Sequence, residues 1–130
     1  MKRELRGRVI RPGIACGTAL VSREPVGFLG GVDPETGIVV ESGHDLLGQC
    51  ISGRILVFPT GKGSTVGSYT LYRMARAGTA PAAIINAESE AIVAVGAIIA
   101  GIPMVDQVDI SQIETGDRVQ VSGRKVIVER

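Results

Sequence analysis

The sequence predicts an α/β fold, a small sheet or partial barrel flanked by helices, on three observations. Strand-like segments gather at both ends of the chain, and between them strand, helix, strand, helix and strand alternate. Two consecutive crossovers of that kind join parallel strands, whereas the ends carry hairpin signals. No linker-like stretch interrupts the 130 residues, and because single domains cluster near ~100–150 residues, one domain over 1–130 is expected.

Residues 5–10 alternate apolar and polar side chains until Pro12 and Gly13 break the pattern, and a second short strand follows over 17–22. Together they suggest an opening hairpin or corner. Pro25 with Gly27, Gly30 and Gly31 marks an irregular loop over 24–31, and Asp33-Pro34-Glu35-Thr36-Gly37 has the residues of a tight turn. A strand is expected over 38–41, a connection without clean periodicity over 42–53, and a β-branched apolar strand over 54–58 that ends at Pro59.

Gly67, Leu71, Met74, Ala75 and Gly78 then fall on one helical face, with Ser64 or Thr65 as N-cap and Gly78 at the C-terminal end. The small Gly67 would let this helix approach a sheet closely. Residues 81–86 read as a buried strand, and Ser89 as the N-cap of a helix over 90–100 that Gly101 and Pro103 stop. That helix is apolar nearly all round, so 91–102 is expected as a core segment; it falls far short of the ~20 residues needed to cross a bilayer. A short strand over 103–105, a helical turn over 109–114, and a closing hairpin of 117–121 with Lys125–Glu129 around Ser122-Gly123-Arg124 complete the chain.

Composition removes several function classes. The 18 glycines and 6 prolines follow no G-x-y period, which excludes collagen-like and low-complexity chains. A formal net charge of +1 lacks the electrostatic footprint of nucleic-acid binding and argues against a membrane-surface role. Cys16 and Cys50 cannot form a disulfide framework, and no charged stretch followed by an apolar run precedes the first strand, so a cytoplasmic protein is expected. The two cysteines read as small core hydrophobes, and two thiols cannot hold an iron–sulfur cluster unaided. The carboxylates Asp33, Asp45, Asp106, Asp109 and Asp117 occupy turn-like positions where local backbone hydrogen bonding outweighs metal binding, so no metal site is expected. His44 is the only histidine and reads either as a structural hydrogen-bonder or as a substrate contact. Tyr69 and Tyr72, three residues apart on the first helix, pack at a sheet or at a partner.

One constellation stands out, Phe58-Pro59-Thr60-Gly61-Lys62-Gly63-Ser64-Thr65, a strand end, a glycine-rich turn and a helix start. Two glycines around a lysine let the backbone approach a ligand, and amides at a helix N-terminus suit a carboxylate or phosphate. It is not a Walker A loop, since Gly63 separates Lys62 from the hydroxyl residue and Leu56 stands where the first glycine belongs. Ser64 could be a reactive oxygen if helix amides and Lys62 stabilised its alkoxide in a site closed to water. The plainer alternative is that Gly61 and Gly63 only make a tight turn and Ser64 only caps a helix.

Across Pro59-Thr60-Gly61-Lys62-Gly63-Ser64-Thr65-Val66-Gly67-Ser68 the chain closely resembles the swivel-domain subunit of the aconitase X family. The likeness extends to Val32-Asp33-Pro34-Glu35-Thr36-Gly37, His44, Pro81-Ala82-Ala83-Ile84-Ile85 and Gly101-Ile102-Pro103. The family pattern usually has a second serine where this chain has Thr65, a departure that keeps the hydroxyl. What the resemblance implies is a swivelling β/β/α domain, the small subunit of a heteromeric hydro-lyase that is active only with a large aconitase X-type subunit. This chain would bind no cofactor alone; the large subunit would hold an iron–sulfur cluster acting as Lewis acid. Ser64 would take the C2 proton of (R)-5-phosphomevalonate, a phosphorylated hydroxy acid, as the C3 hydroxyl leaves. The product would be trans-anhydromevalonate 5-phosphate, on the modified mevalonate route to isoprenoids. Gly61, Lys62, Gly63, Thr65 and His44 are the substrate-binding positions this implies. Another member of the family acts on cis-3-hydroxy-L-proline, the alternative substrate, and a non-catalytic anion-binding module would keep the same loop. Residues 81–121 also resemble the swivelling phosphohistidine domain of phosphotransfer enzymes. That carrier role needs a histidine at the start of the 90–100 helix, where this chain has Glu88-Ser89-Glu90-Ala91.

Overall fold

The computed structural model describes residues 1–130. Eight strands and two helices follow in the order β1 (Lys2–Arg6), β2 (Arg8–Arg11), β3 (Ile14–Val21), β4 (Ile55–Phe58), α1 (Gly67–Ala77), β5 (Ala83–Asn86), α2 (Ala91–Ala100), β6 (Met104–Asp106), β7 (Arg118–Ser122) and β8 (Lys125–Glu129). A single 3-10 turn, Ile110–Gln112, precedes β7. All strands join one sheet in the order β1-β8-β7-β3-β4-β5-β6-β2. β3, β4, β5 and β6 run parallel, while β1, β8, β7 and β2 pair antiparallel with their neighbours.

β1 and β2 form opposite edges of this sheet, yet only Gly7 lies between them. The sheet therefore rolls until its edges meet, giving the expected partial barrel. Gly7 is where the chain turns that corner: its amide donates to Arg124 O at 3.0 Å, and a Cβ there would strike the Asp106 carbonyl and the Val105 and Val108 side chains. The expected continuous strand over 5–10 is thus broken in two. The opening is a corner and not a hairpin, because β2 pairs with β6 and β3 with β4 and β7.

Side-chain alternation along each strand separates two cores. Ala19, Ile55, Val57, Ala83, Ile85, Val105, Val119, Val121, Val126 and Val128 point into the barrel. Leu20, Leu56, Phe58, Ile84 and Met104 point the other way and meet Leu71 and Met74 of α1 and Val93 and Ala97 of α2. Each buried Val, Leu, Ile, Phe or Met among these contributes ~1.5–3 kcal/mol, against ~0–1 kcal/mol for an exposed ion pair. The valine- and isoleucine-rich strands therefore dominate the fold.

The remaining departures have local causes. Residues 38–41 form no ladder, only isolated bridges of Val39 with Val32 and of Ile38 with Cys50, because Gln49 O and Gly48 N engage Val39 within a short turn. Both cysteines are exposed, not core residues. Asp106 and Asp117 are buried, and each binds an arginine, Arg8 and Arg130 respectively, in addition to backbone amides. The largest departure is α2. Its Val93, Gly96 and Ala97 are buried as expected, but Val95, Ile98 and Ile99 are 49%, 52% and 43% exposed.

Candidate functional site

The glycine–lysine–glycine–serine turn leaves the C-terminal end of β4, whose four residues are all buried. Asn86, at the end of β5 and fully buried, donates from Nδ2 to Phe58 O at 3.0 Å, and Glu88 N donates to Pro59 O at 3.0 Å. Phe58 itself packs edge-on to Phe28, with centroids 6.4 Å apart. The root of the turn is thereby fixed before the first glycine.

On one side, the loop after β3 runs alongside as a one-bridge strand. Val26 N donates to Thr60 O at 3.2 Å and Lys62 N to Val26 O at 3.1 Å, and a Cβ on Gly27 would lie 2.9 Å from Lys62 O. On the other side Gly61 is pressed against the start of α2, where a Cβ would strike Val93 and come within 2.7 Å of Glu90 Oε1. Gly61 is therefore required by close approach and Gly63 by conformation, since its φ of +109° lies where L side chains are strained.

Ser64 emerges exposed from this clamp. It was expected, with Thr65, to cap α1, but the N-cap position is Val66 and no side chain caps the helix. Ser64 contributes its carbonyl, which accepts from Gly67 N at 2.9 Å, and the Thr65 carbonyl accepts from Ser68 Oγ at 2.8 Å. The cap bond that would occupy the Ser64 hydroxyl is not made. The leading amides of α1, on Gly67, Ser68, Tyr69 and Thr70, all donate to carbonyls of residues 64–66, and the amides left without an acceptor are those of residues 63–66 in the exposed turn ahead of the helix. At α2 the situation is reversed. Glu90, not Ser89, is the N-cap, with Oε2 and Oε1 accepting from Ile92 N at 2.9 Å and Val93 N at 3.1 Å. Ser89 is diverted to Asp106 Oδ2, to which its hydroxyl donates at 2.7 Å. The amides beside the turn that are open to an anion are therefore those of residues 63–66, ahead of α1 and not within it.

Lys62 reaches back to Glu41, Nζ to Oε2 2.6 Å, with both side chains partly exposed. Thr65 lines a shallow groove of about 300 Å³ with Ser68, Tyr69, Ala91, Ile92 and Val95, between the first turns of the two helices. Tyr69 and Tyr72 are 67% and 42% exposed, so they do not pack on the sheet.

His44 is buried and committed to the chain. Its Nε2 lies 2.9 Å from Pro25 O, and Nδ1 lies 3.1 Å from Leu46 N and 3.1 Å from Asp45 Oδ1. Of its two readings, the geometry carries the structural one: it pins the 44–46 turn to the loop that holds Gly61. Glu24, His44 and Asp45 place one ligand-type atom each within 4.8 Å of one another. Those atoms are already engaged, since Glu24 accepts from Asp45 N, and Asp45 from Ser22 Oγ and Arg23 N. Burial pushes the Asp45 carboxyl up, but the Arg23 amide and Ser22 hydroxyl outweigh it and hold the group below the usual carboxylate range.

Sequence reading found Gly61, Lys62, Gly63, Ser64 and Thr65, which the structure keeps contiguous. It missed Glu41, Asn86 and Glu90. The polar end of an otherwise apolar strand could have signalled Asn86, and a glutamate at a helix start could have signalled Glu90.

Comparison with known proteins bears on what this arrangement serves. The profile of the aconitase X swivel domain matches residues 4–130. A phosphomevalonate dehydratase small subunit from Pyrococcus furiosus is 56% identical over 126 residues, covering 97% of this chain and 94% of that one. The protein of the same name from Methanosarcina acetivorans is 56% identical over 129 residues, 97% of this chain and 90% of the other. Among solved structures, the holo form of Thermococcus kodakaraensis aconitase X superposes with a TM-score of 0.96 at 54% identity, covering 98% of this chain and 99% of that one.

Proposed function

The chain belongs to the aconitase X swivel-domain family, and on that premise we propose that it is the small subunit of a hydro-lyase that dehydrates (R)-5-phosphomevalonate to trans-anhydromevalonate 5-phosphate, with Ser64 as proton acceptor. The substrate rests on the names of relatives that match along nearly the whole chain. The role of Ser64 rests on one observation of its own: the hydroxyl stands exposed ahead of an uncapped helix instead of capping it.

The reading divides the work between two subunits. Cys16 and Cys50 sit on β3 and on the 42–53 connection, and two thiols on separate elements do not make a cluster site, so an iron–sulfur group belongs to the large subunit. This chain supplies the basic side. The turn at Gly63, with its positive φ, leaves Ser64 exposed, and the amides of residues 63–66, which have no acceptor in the chain, favour negative charge building on its oxygen. Lys62, tethered to Glu41, adds a cation beside the turn. Ser64 Oγ, as the alkoxide, takes the proton from C2 to become the hydroxyl, while the C2–H electrons form the new double bond and the C3 hydroxyl leaves with the C3–O pair. This requires that water be excluded, and an exposed serine meets that condition only when a second surface covers it. The phosphate or carboxylate of a bound substrate falls to Lys62 and the amides around Thr65, and His44 supports the loop from behind.

The test is an oxygen-free complex of this chain with its large subunit. Ser64→Ala should leave assembly intact and lower turnover of 5-phosphomevalonate on the order of 10²–10⁴-fold, the usual worth of a general base. Turnover within a few-fold of the parent would move the base elsewhere. Cis-3-hydroxy-L-proline assayed alongside decides the substrate.

A further inference from the structure

We infer that the outward apolar face shared by α1 and α2 is the surface on which the large subunit docks, continuous with the turn that carries Ser64. This rests on the reading above, in which such a partner brings the substrate to that serine. The observation behind it is chemical. The ten residues of α2, Ala91–Ala100, include no polar side chain, and Val95, Ile98 and Ile99 stand about half exposed along one stripe. A helix that ends its folding against water carries a polar outer face. This one has a second apolar face, with nothing in the chain to cover it.

Placement identifies the occupant. The groove of about 300 Å³ between the helices begins at Thr65, the residue after Ser64, and runs past Tyr69 to Val95. Leu29, 51% exposed, flanks the other side of the helix start, its amide 3.7 Å from where a Cβ of Gly67 would lie. A partner that presents a substrate carbon to Ser64 Oγ has to bring its own surface to within a few ångströms of the turn, and in doing so it covers Leu29, Tyr69 and the start of α2. The same contact excludes the water that would quench a serine base. A second copy of this chain on the same face would close the turn against itself and shut the substrate out. A lipid surface is disfavoured because α2 offers no Lys or Arg to meet headgroups, and of the two arginines on α1 Arg73 pairs with Glu35 and Arg76 lies over the Tyr72 ring. The buried centre of a protein interface is more apolar than the rest of the surface, depleted of charge and enriched in aromatics such as Tyr69.

The experiment measures the Kd of the full chain for its cognate large subunit, with turnover on 5-phosphomevalonate read in the same samples. Ile98→Glu and Tyr69→Ala alter exposed side chains, so each should keep the parent's circular dichroism spectrum and melting temperature. Each should also raise Kd at least about tenfold, or about 1.4 kcal/mol. Because Ser64 is intact, turnover should return toward the parent's value when the variant is added to saturation. Ile14→Glu, at a side chain 76% exposed on β3, is the control and should leave Kd unchanged. An unchanged Kd for both folded face variants overturns the docking site, as does a parent chain that sediments as a dimer and is made monomeric by Ile98→Glu with no effect on large-subunit binding. If assembly is lost in Ile98→Glu while the parent complex leaves 5-phosphomevalonate untouched, the docking face stands and the proposed activity fails.

Discussion

Lys62 stands between two glycines that offer no side chain to shield it, and its ammonium is 2.6 Å from Glu41 Oε2. A pair with side chains 45% and 31% exposed contributes only ~0–1 kcal/mol to folding, because water already solvates both charges well. Its effect is therefore positional: Glu41 holds a cation beside the Ser64 turn, where the anionic substrate proposed above would compete for it. Lys62→Ala is expected to raise KM or lower kcat in the assembled enzyme, with a change in unfolding free energy of no more than about 1 kcal/mol. A variant that unfolds, or one with parental KM and kcat, would reduce Lys62 to a turn residue. Ser64 and Lys62 were legible in the sequence because glycines on both sides of a lysine, at a strand-to-helix junction, mark a backbone that approaches something. Glu41 was not, since the contact spans 21 positions through a loop with no periodic signal. The buried setting of His44 was equally hidden: a lone histidine in a glycine-containing connection gives no clue to whether its nitrogens face Pro25 and Leu46 or solvent.

At the scale of elements, the start of α2 decides how tightly the turn is held. Glu90 satisfies two leading amides of the helix and also forms the wall against which Gly61 lies. Glu90→Ala should cost roughly 0.5–2 kcal/mol, the usual worth of an N-cap. In urea this appears as a lower midpoint with an unchanged m value, and the opened wall should lower kcat in the complex as well. Parental stability and parental kcat together would contradict the role. Sequence reading placed the cap one residue early, at Ser89, since serine is the stronger capping type. Tertiary structure overrode that preference, because buried Asp106 needs the Ser89 hydroxyl beside Arg8. The strands over 54–58 and 81–86 and the closing hairpin were legible because their β-branched runs and two-residue turn are local signals. The break at Gly7 was not, because it is imposed by Asp106, 99 positions away. Apolar content located α2 correctly and misjudged its burial. Sequence hydrophobicity cannot distinguish a helix covered by its own chain from one left for a partner.

At the scale of the whole molecule, the strands of the rolled sheet are tied by carboxylates as well as by its valine core. Asp106 of β6 binds Arg8 of its ladder partner β2, with two bonds of 3.0 and 2.7 Å, one residue past the Gly7 corner. Asp117 ties the start of β7 to Arg130 at the end of the chain, and Asp45 ties the loop supporting the turn to Ser22. Burial raises the Asp106 carboxyl, but bonds from Arg8 and Ser89 more than reverse this; at Asp117 the Arg130 bond is the leading cause, acting against burial. All three carboxyls are held below their ordinary range, so the unfolded chain takes up protons before the folded one does. Their stabilisation is complete above the unfolded aspartate value of about 3.9 and is lost as pH falls through the lower folded values. Urea midpoints of the isolated chain, followed by far-UV circular dichroism because there is no tryptophan, should owe these groups no change above about pH 5 and fall steeply below about pH 4. Asp106→Asn should start from a lower midpoint at neutral pH, because β2 and β6 have lost their charge pair, and should show a shallower acid decline. A midpoint that holds steady down to pH 2, or an acid decline as steep in Asp106→Asn as in the parent, would mean that the valine core holds β2 on β6 without help from this pair.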